Sequence, residues 1–319
     1  MGQSYIMNGM KALETMRTFT PDSLPDLDTA VLGALELFSE VPVPKVDFDL
    51  FSRPLVLGSG GAESTGRILF RDRDAVFAGE STYKEALERA GEGIDGAIII
   101  SASGGKHAAP TAEDFKTRGI DAFLLTNNPG ALAAEFVKSE QIILFPKNRE
   151  PYTYNTSTYL GMILASTGED PLAIHQFLAT DTMPRMPDTL SDYDAFFITV
   201  PPAFAEIRGM LSAKFDELFG PRVCGRVFTT EEAKHAKTVV PSSKEYFIAL
   251  GDEAPVGTPE RALHLPLPRA TGYGAMLALG YFAIGYIQKQ HPPYFKEHVI
   301  SYTKQASEMF GHAIHPIVE

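Results

Sequence analysis

The chain has 319 residues, a formal net charge of -12 and one cysteine, Cys224. That acidic balance argues against general binding of a nucleic-acid backbone, and one thiol excludes an internal disulfide or a cysteine-rich zinc site. Hydrophobic residues make up 44% of the chain, enough for the cores of two ordinary domains or one large one.

No basic-then-apolar segment opens the sequence. Its richest apolar run, residues 275–287, is interrupted by Gly280 and Gly285 and reads as a core helix rather than a membrane span. The expectation is a cytoplasmic protein with no membrane contact, its single thiol fitting a reducing compartment.

Along the chain, Met10, Leu13 and Met16 are spaced for one helix face. Residues 29–40 look helical, and Pro42 and Pro44 stop them. Residues 1–50 are therefore read as an N-terminal helical segment. Strand-like runs then follow at 55–57, 75–78, 97–101, 122–126 and 142–145. Helical stretches at 64–70, 82–90, 111–118 and 131–138 separate them. That alternation predicts βαβ units and a parallel sheet over residues 51–180.

Residues 181–193, with Pro184 and Pro187, read as a linker. Residues 194–319 restart with a strand at 195–200 and a helix at 204–219. Further strands are expected at 222–228, 245–250 and 262–267, and final helices at 271–288 and 294–310. The predicted class is α/β, with two mostly parallel sheets flanked by helices.

Two turns at predicted strand ends carry binding chemistry. The first contains Gly58, Ser59 and Gly60, with Ser64 opening the next helical stretch. Glycines let backbone N–H groups approach an anion closely. The motif is neither a complete dinucleotide fingerprint nor a Walker loop. The second turn contains Ser101, Ser103, Gly104, Gly105 and Lys106, with Thr111 beginning the next helix. Hydroxyls, amides and an ammonium there can wrap a phosphate. The plain alternative for both is a tight surface turn whose hydroxyls cap backbone.

A third cluster follows the run at 142–145. Glu150 could bind sugar hydroxyls there, and Thr156 and Ser157 could face an anion at a helix start, or simply cap it. Thr126, Asn127, Asn128 and Gly130 are first of all turn formers.

For acid–base work, Lys214 and Glu217 lie three apart on one predicted helix, and Glu232 and His235 three apart further on. Glu217 could move a proton between adjacent carbons while His235 assists at oxygen. An exposed ion pair and a histidine in a charged turn would explain the same spacings. Glu206, with Arg208 near the start of the same helix, is a rival base, and Lys304 beside Tyr302 a further candidate contact. The histidines form no zinc-like set, so no metal is expected.

The segments Val56-Leu57-Gly58-Ser59-Gly60 with Ser64, Ser101-Ala102-Ser103-Gly104, and Glu150 through Thr158 resemble, in order and context, the sugar isomerase (SIS) domain family. The second half resembles the partner subdomain. The resemblance implies two flavodoxin-like subdomains, a small phosphorylated sugar as ligand, no cofactor, and a homodimer. It makes Ser64, Ser101, Ser103 and Thr111 phosphate contacts.

Lys214-Phe215-Asp216-Glu217 is similar to the catalytic-glutamate segment of glucosamine-6-phosphate synthase isomerase domains and of dual phosphoglucose/phosphomannose isomerases. Glu232-Ala233-Lys234-His235 is similar to their histidine segment. This implies aldose–ketose isomerisation, with Glu217 as base, His235 opening the sugar ring and Lys304 as a late lysine. Deglycation or deamination of amino-sugar phosphates is a second expectation, and a non-catalytic sugar-phosphate sensor a third. With no glutaminase or DNA-binding segment recognised before Phe51, neither full hexosamine synthesis nor direct transcriptional control is expected.

Overall fold

The computed structural model describes residues 11–105, 107–251, 257–269 and 271–319. Met10 and Lys106 lie outside the described residues. The chain divides into two compact units. One comprises Val41–Lys147 and Thr158–Gly168. The other comprises the described residues up to Glu40, with Asn148–Ser157 and Glu169–Glu319.

The first unit holds five parallel strands: β1 (Pro54–Leu57), β2 (Val76–Ala78), β3 (Gly96–Ile100), β4 (Ala122–Thr126) and β5 (Ile142–Leu144). Every residue of β1 and β3 is buried, which is why both read as unbroken apolar runs. Leu55, Ile99, Phe115 and Leu124 share one core with Tyr83 and Ala86. The strand order is β2-β1-β3-β4-β5. The chain leaves β1 for β2 on one side, then resumes at β3 on the other. The carboxyl ends of β1 and β3 therefore flank the point where the winding reverses, the place where open α/β sheets bind ligands.

The helix expected over 131–138 is only a 3-10 turn, Leu132–Phe136. Val137 is already extended, with φ -116° and ψ 143°, so the helix cannot continue.

The second unit begins its ordered strands with β6 (Glu150–Pro151). It then builds a parallel sheet from β7 (Ala195–Val200), β8 (Cys224–Thr229), β9 (Glu245–Leu250) and β10 (Ala262–Leu265). The order is β10-β9-β7-β8. Its first strand lies between its second and third, as in the other unit, so the two sheets share one winding scheme. β10 stops at Leu265, short of the expected end, because Pro266 has no N–H to give the ladder. The C-terminal β11 (Ile317–Val318) pairs antiparallel with β6. The helix Tyr273–Gln290 is buried along most of its length.

The expected helix over 204–219 is divided. Residues Pro202–Ile207 form a 3-10 segment with a kink at Phe204, and the α-helix proper is Arg208–Phe219. Pro201 and Pro202 cannot donate to a helical ladder. Glu206 thus precedes the α-helix that carries Lys214 and Glu217. The stretch read as a linker folds largely into single turns, Leu178–Thr182, Met183–Arg185 and Leu190–Asp192. Gln290 ties it down, accepting from the Leu190 N–H and donating to the Pro187 carbonyl. Among the described residues, no helix is long and apolar enough to cross a membrane.

Candidate functional site

The register of Leu57 opposite Ile99 sets the exit loops of β1 and β3 side by side. After β1, the chain turns at once into the helix Gly61–Leu69, and Ser64 lies half-buried on its first turn. The turn is so tight that a Cβ on Gly58 would lie 2.5 Å from the Ala62 carbonyl carbon and 2.6 Å from the Glu63 nitrogen. Gly58→Ala is therefore expected to cost about 1–3 kcal/mol of stability, read as a lowered urea midpoint. An unchanged midpoint would contradict this packing.

After β3, Ser101 Oγ accepts the Gly104 N–H at 3.1 Å and Ser103 Oγ accepts the Gly105 N–H at 3.3 Å. Each hydroxyl oxygen is thereby oriented while its own hydrogen can still donate. Gly104 has φ +57°, and a Cβ there would collide with that of Ala131. The exit of β4 braces this loop. Thr126 Oγ1 and the Asn127 N–H both donate to the Ala102 carbonyl at 3.1 Å, and Asn128 Nδ2 donates to that of Ser103 at 2.8 Å. The sequence marked the Asn and Gly of this stretch first of all as turn formers, with direct ligand contact the lesser reading. Thr111 is buried and donates its hydroxyl to the His107 carbonyl at 2.9 Å, so its hydrogen is spent inside the helix.

In the other unit, Glu150, Thr156 and Ser157 come together, all buried. The Glu150 carboxylate accepts the Thr156 and Ser157 N–H groups at 2.7 Å each. Ser157 Oγ accepts the Asn148 N–H at 2.9 Å. The start of the helix Thr156–Thr167 thus already has an acceptor for its free N–H groups, the Glu150 carboxyl, supplied by the chain itself. Burial pushes the Glu150 carboxyl pKa up. The Ser157 and Thr156 contacts and the charge of Lys214 pull against that shift.

Glu217 sits near the end of the helix Arg208–Phe219, beside a cleft of about 810 Å³. Tyr152, Thr153, Arg222, His298 and Tyr302 also line it. The Lys214 ammonium donates to Glu217 Oε2 at 2.5 Å and to the Thr153 carbonyl at 2.6 Å. It also lies 5.4 Å from the ring centroid of Tyr281. Lys214 is only 3% exposed, so this is not a solvated surface pair. Leu211, Lys214, Phe215 and Leu218 lie together on the buried face of the helix. Thr153 itself has φ +70°, a conformation that disfavours a β-branched residue.

The Tyr152 and Tyr302 ring centroids are 6.0 Å apart. Burial, then the neighbouring Tyr302 and Glu217, push the Tyr152 phenol pKa up. Tyr152 was not singled out from the sequence, where nothing set it apart from a packing aromatic.

His235 lies exposed in the turn after the helix Thr230–Ala233, and Lys304 lies exposed on the helix Tyr294–Phe310. Neither lines the Glu217 cleft. Glu232 is committed locally: it completes a capping box with Thr229 and pairs with Arg208. The Thr229 N–H, and then Arg208, hold its pKa below the usual carboxylate range despite some desolvation. No group of three metal-ligating side chains occurs among the described residues.

No protein-family model matches the chain, and no curated protein matches its sequence. Solved structures do match. One is a candidate phosphosugar isomerase from Clostridium difficile 630, 12% identical with a TM-score of 0.60, covering 86% of this chain and 96% of that one. The fold is that of tandem SIS-like domains.

The C-terminal domain of glucosamine-fructose-6-phosphate aminotransferase from Francisella tularensis shares this SIS-like fold. It is 12% identical, with a TM-score of 0.58, over 87% of this chain and 94% of that one. Glucosamine-6-phosphate deaminase from Thermotoga maritima does so at 14% identity and a TM-score of 0.56, over 83% and 92%. These structures come from proteins named for different reactions, so the SIS-like fold alone does not choose one.

Proposed function

We propose that this protein binds a small phosphorylated sugar and interconverts its aldose and ketose forms, a step in carbohydrate-derivative metabolism. The observation that carries the reading is the pair of hydroxyl-bearing loops at the carboxyl ends of β1 and β3. In this reading Ser64, Ser101 and Ser103 donate to the phosphate, helped by amides of the first turn (Gly58, Ser59, Gly60) and by Gly104, Gly105 and Lys106. Thr111 holds the start of its helix, and Glu150, Thr156 and Ser157 hold their loop in shape.

The chemistry is proton transfer. Ring opening comes first, by protonation of the ring oxygen and loss of the anomeric hydroxyl proton; the resemblance implies His235 for it, but His235 lies outside the Glu217 cleft and is left without that role. Glu217 then removes the proton on C2 of the aldose and returns it to C1. The hydroxyl proton moves between O2 and O1 as the enediol collapses to the ketose. Such a route needs no redox group, and the protein is expected to work as a homodimer.

The double variant Ser101→Ala, Ser103→Ala tests the ligand claim. Loss of two hydroxyl donors to a phosphate should weaken binding of fructose 6-phosphate at least about tenfold in calorimetry. Unchanged affinity in a folded variant would remove these loops from the site. A panel of hexose and pentose phosphates tests the reaction. Release of ammonia or of an amino acid from amino-sugar phosphates would instead mark a deaminating or deglycating enzyme. Tight binding without turnover of any of them would mark a sensor.

A further inference from the structure

The cleft beside Glu217 is larger than proton transfer between two carbons requires. At about 810 Å³ it can hold a drug-sized molecule. Its floor is apolar, with buried Leu218, Phe295 and Val299. Its wall is aromatic: the Tyr152 and Tyr302 rings are tilted by 38° at 6.0 Å between centroids. Asp216 and Glu297 add carboxylates, against one guanidinium, Arg222. The ammonium that neutralises Glu217 belongs to Lys214, whose side chain is 4% exposed and spent on Glu217 and Thr153. His298 is turned to its own helix, where Nδ1 bonds the Tyr294 carbonyl at 2.7 Å.

An apolar floor suits a hydrocarbon body. Aromatic faces and carboxylates together suit a positive charge, because the ring quadrupole is negative above its plane. A second phosphate would meet the carboxylates and be repelled.

We infer that this cleft binds an organic ammonium ion with an apolar or aromatic body. It can reach the cleft as a free amine or as an amine-linked substituent of a sugar. The inference stands on the cleft and not on the isomerase reading, and each can fail without the other.

Calorimetry on the full chain tests it, with 2-phenylethylammonium as probe and 2-phenylethanol as its neutral counterpart. The cation is expected to bind at least about tenfold more tightly. Glu297→Gln should narrow that ratio, and Tyr302→Ala should weaken both ligands. Equal affinities for cation and alcohol would overturn the inference. So would no binding of either to protein shown folded by circular dichroism. Competition with fructose 6-phosphate separates the two sources, and both results sustain the inference. Mutual exclusion marks a substituent of the sugar, and independent binding marks a free amine.

Discussion

Glu217→Gln should lower aldose–ketose interconversion by about 10²–10⁴-fold, the usual contribution of a positioned base. Affinity for the sugar phosphate should stay within about threefold, since the amide keeps the shape and gives up only the proton-accepting charge. The competing explanation is that Glu217 serves as a counter-ion for Lys214, which sits 2.5 Å away and is itself buried. The two make opposite forecasts. A counter-ion role predicts lost stability, because the substitution leaves a buried ammonium without its carboxylate neighbour at 2.5 Å, held by the Thr153 carbonyl and the Tyr281 ring. A base role predicts a folded protein that binds and does not turn over. Unfolding curves and initial rates on the same preparation decide between them. Interconversion at the wild-type rate would remove Glu217 from the chemistry whatever the curves show. The pair also has a mechanistic use. An ammonium fixed by Thr153 holds Glu217 in one orientation, which a base acting on adjacent carbons needs.

Much of the fold was legible because its central strands are buried on both faces. Runs such as Leu55-Val56-Leu57 and Ala97-Ile98-Ile99-Ile100 have no polar alternation to disguise them. The alternation of strands with helical stretches then fixed the class. Positions that depend on a partner distant in sequence were not legible. Lys214 looked like half of a surface ion pair. Its burial follows from packing around the helix Arg208–Phe219, which three-residue spacing alone does not reveal. The Glu150 carboxylate looked available to a sugar, yet it is taken by two backbone amides six and seven residues on. Tyr152 is drawn beside Tyr302 across 150 residues of chain, a pairing that no local pattern encodes. Hydroxyl loops at strand ends were readable, because glycine and serine there follow from local backbone needs.

Glu150→Ala should cost about 3–5 kcal/mol of stability, among the largest losses expected for any single side chain outside the hydrophobic cores. Two buried N–H groups at 2.7 Å would lose their acceptor together, at the start of the helix Thr156–Thr167. Neighbouring Asn148 and Ser157 are buried and bound into the same turn, which keeps the freed N–H groups away from bulk water. Urea unfolding measures the loss, and a change below about 1 kcal/mol would mean that the loop finds another acceptor. Glu150→Gln, which cannot titrate, isolates the charge. Burial holds the folded pKa above the ordinary value of 4.5, against the amides and Lys214. Between those two values the folded chain keeps a proton that the unfolded chain has released. The side chain's titration-linked contribution is therefore full below the unfolded pKa and is lost as pH rises through the folded one. The stability gap between wild type and Glu150→Gln should accordingly shrink as pH rises from the unfolded pKa through the raised folded one. A gap that widens with pH would mean that the amides, the helix start and Lys214 together outweigh burial, and that Glu150 is held as a charged anchor.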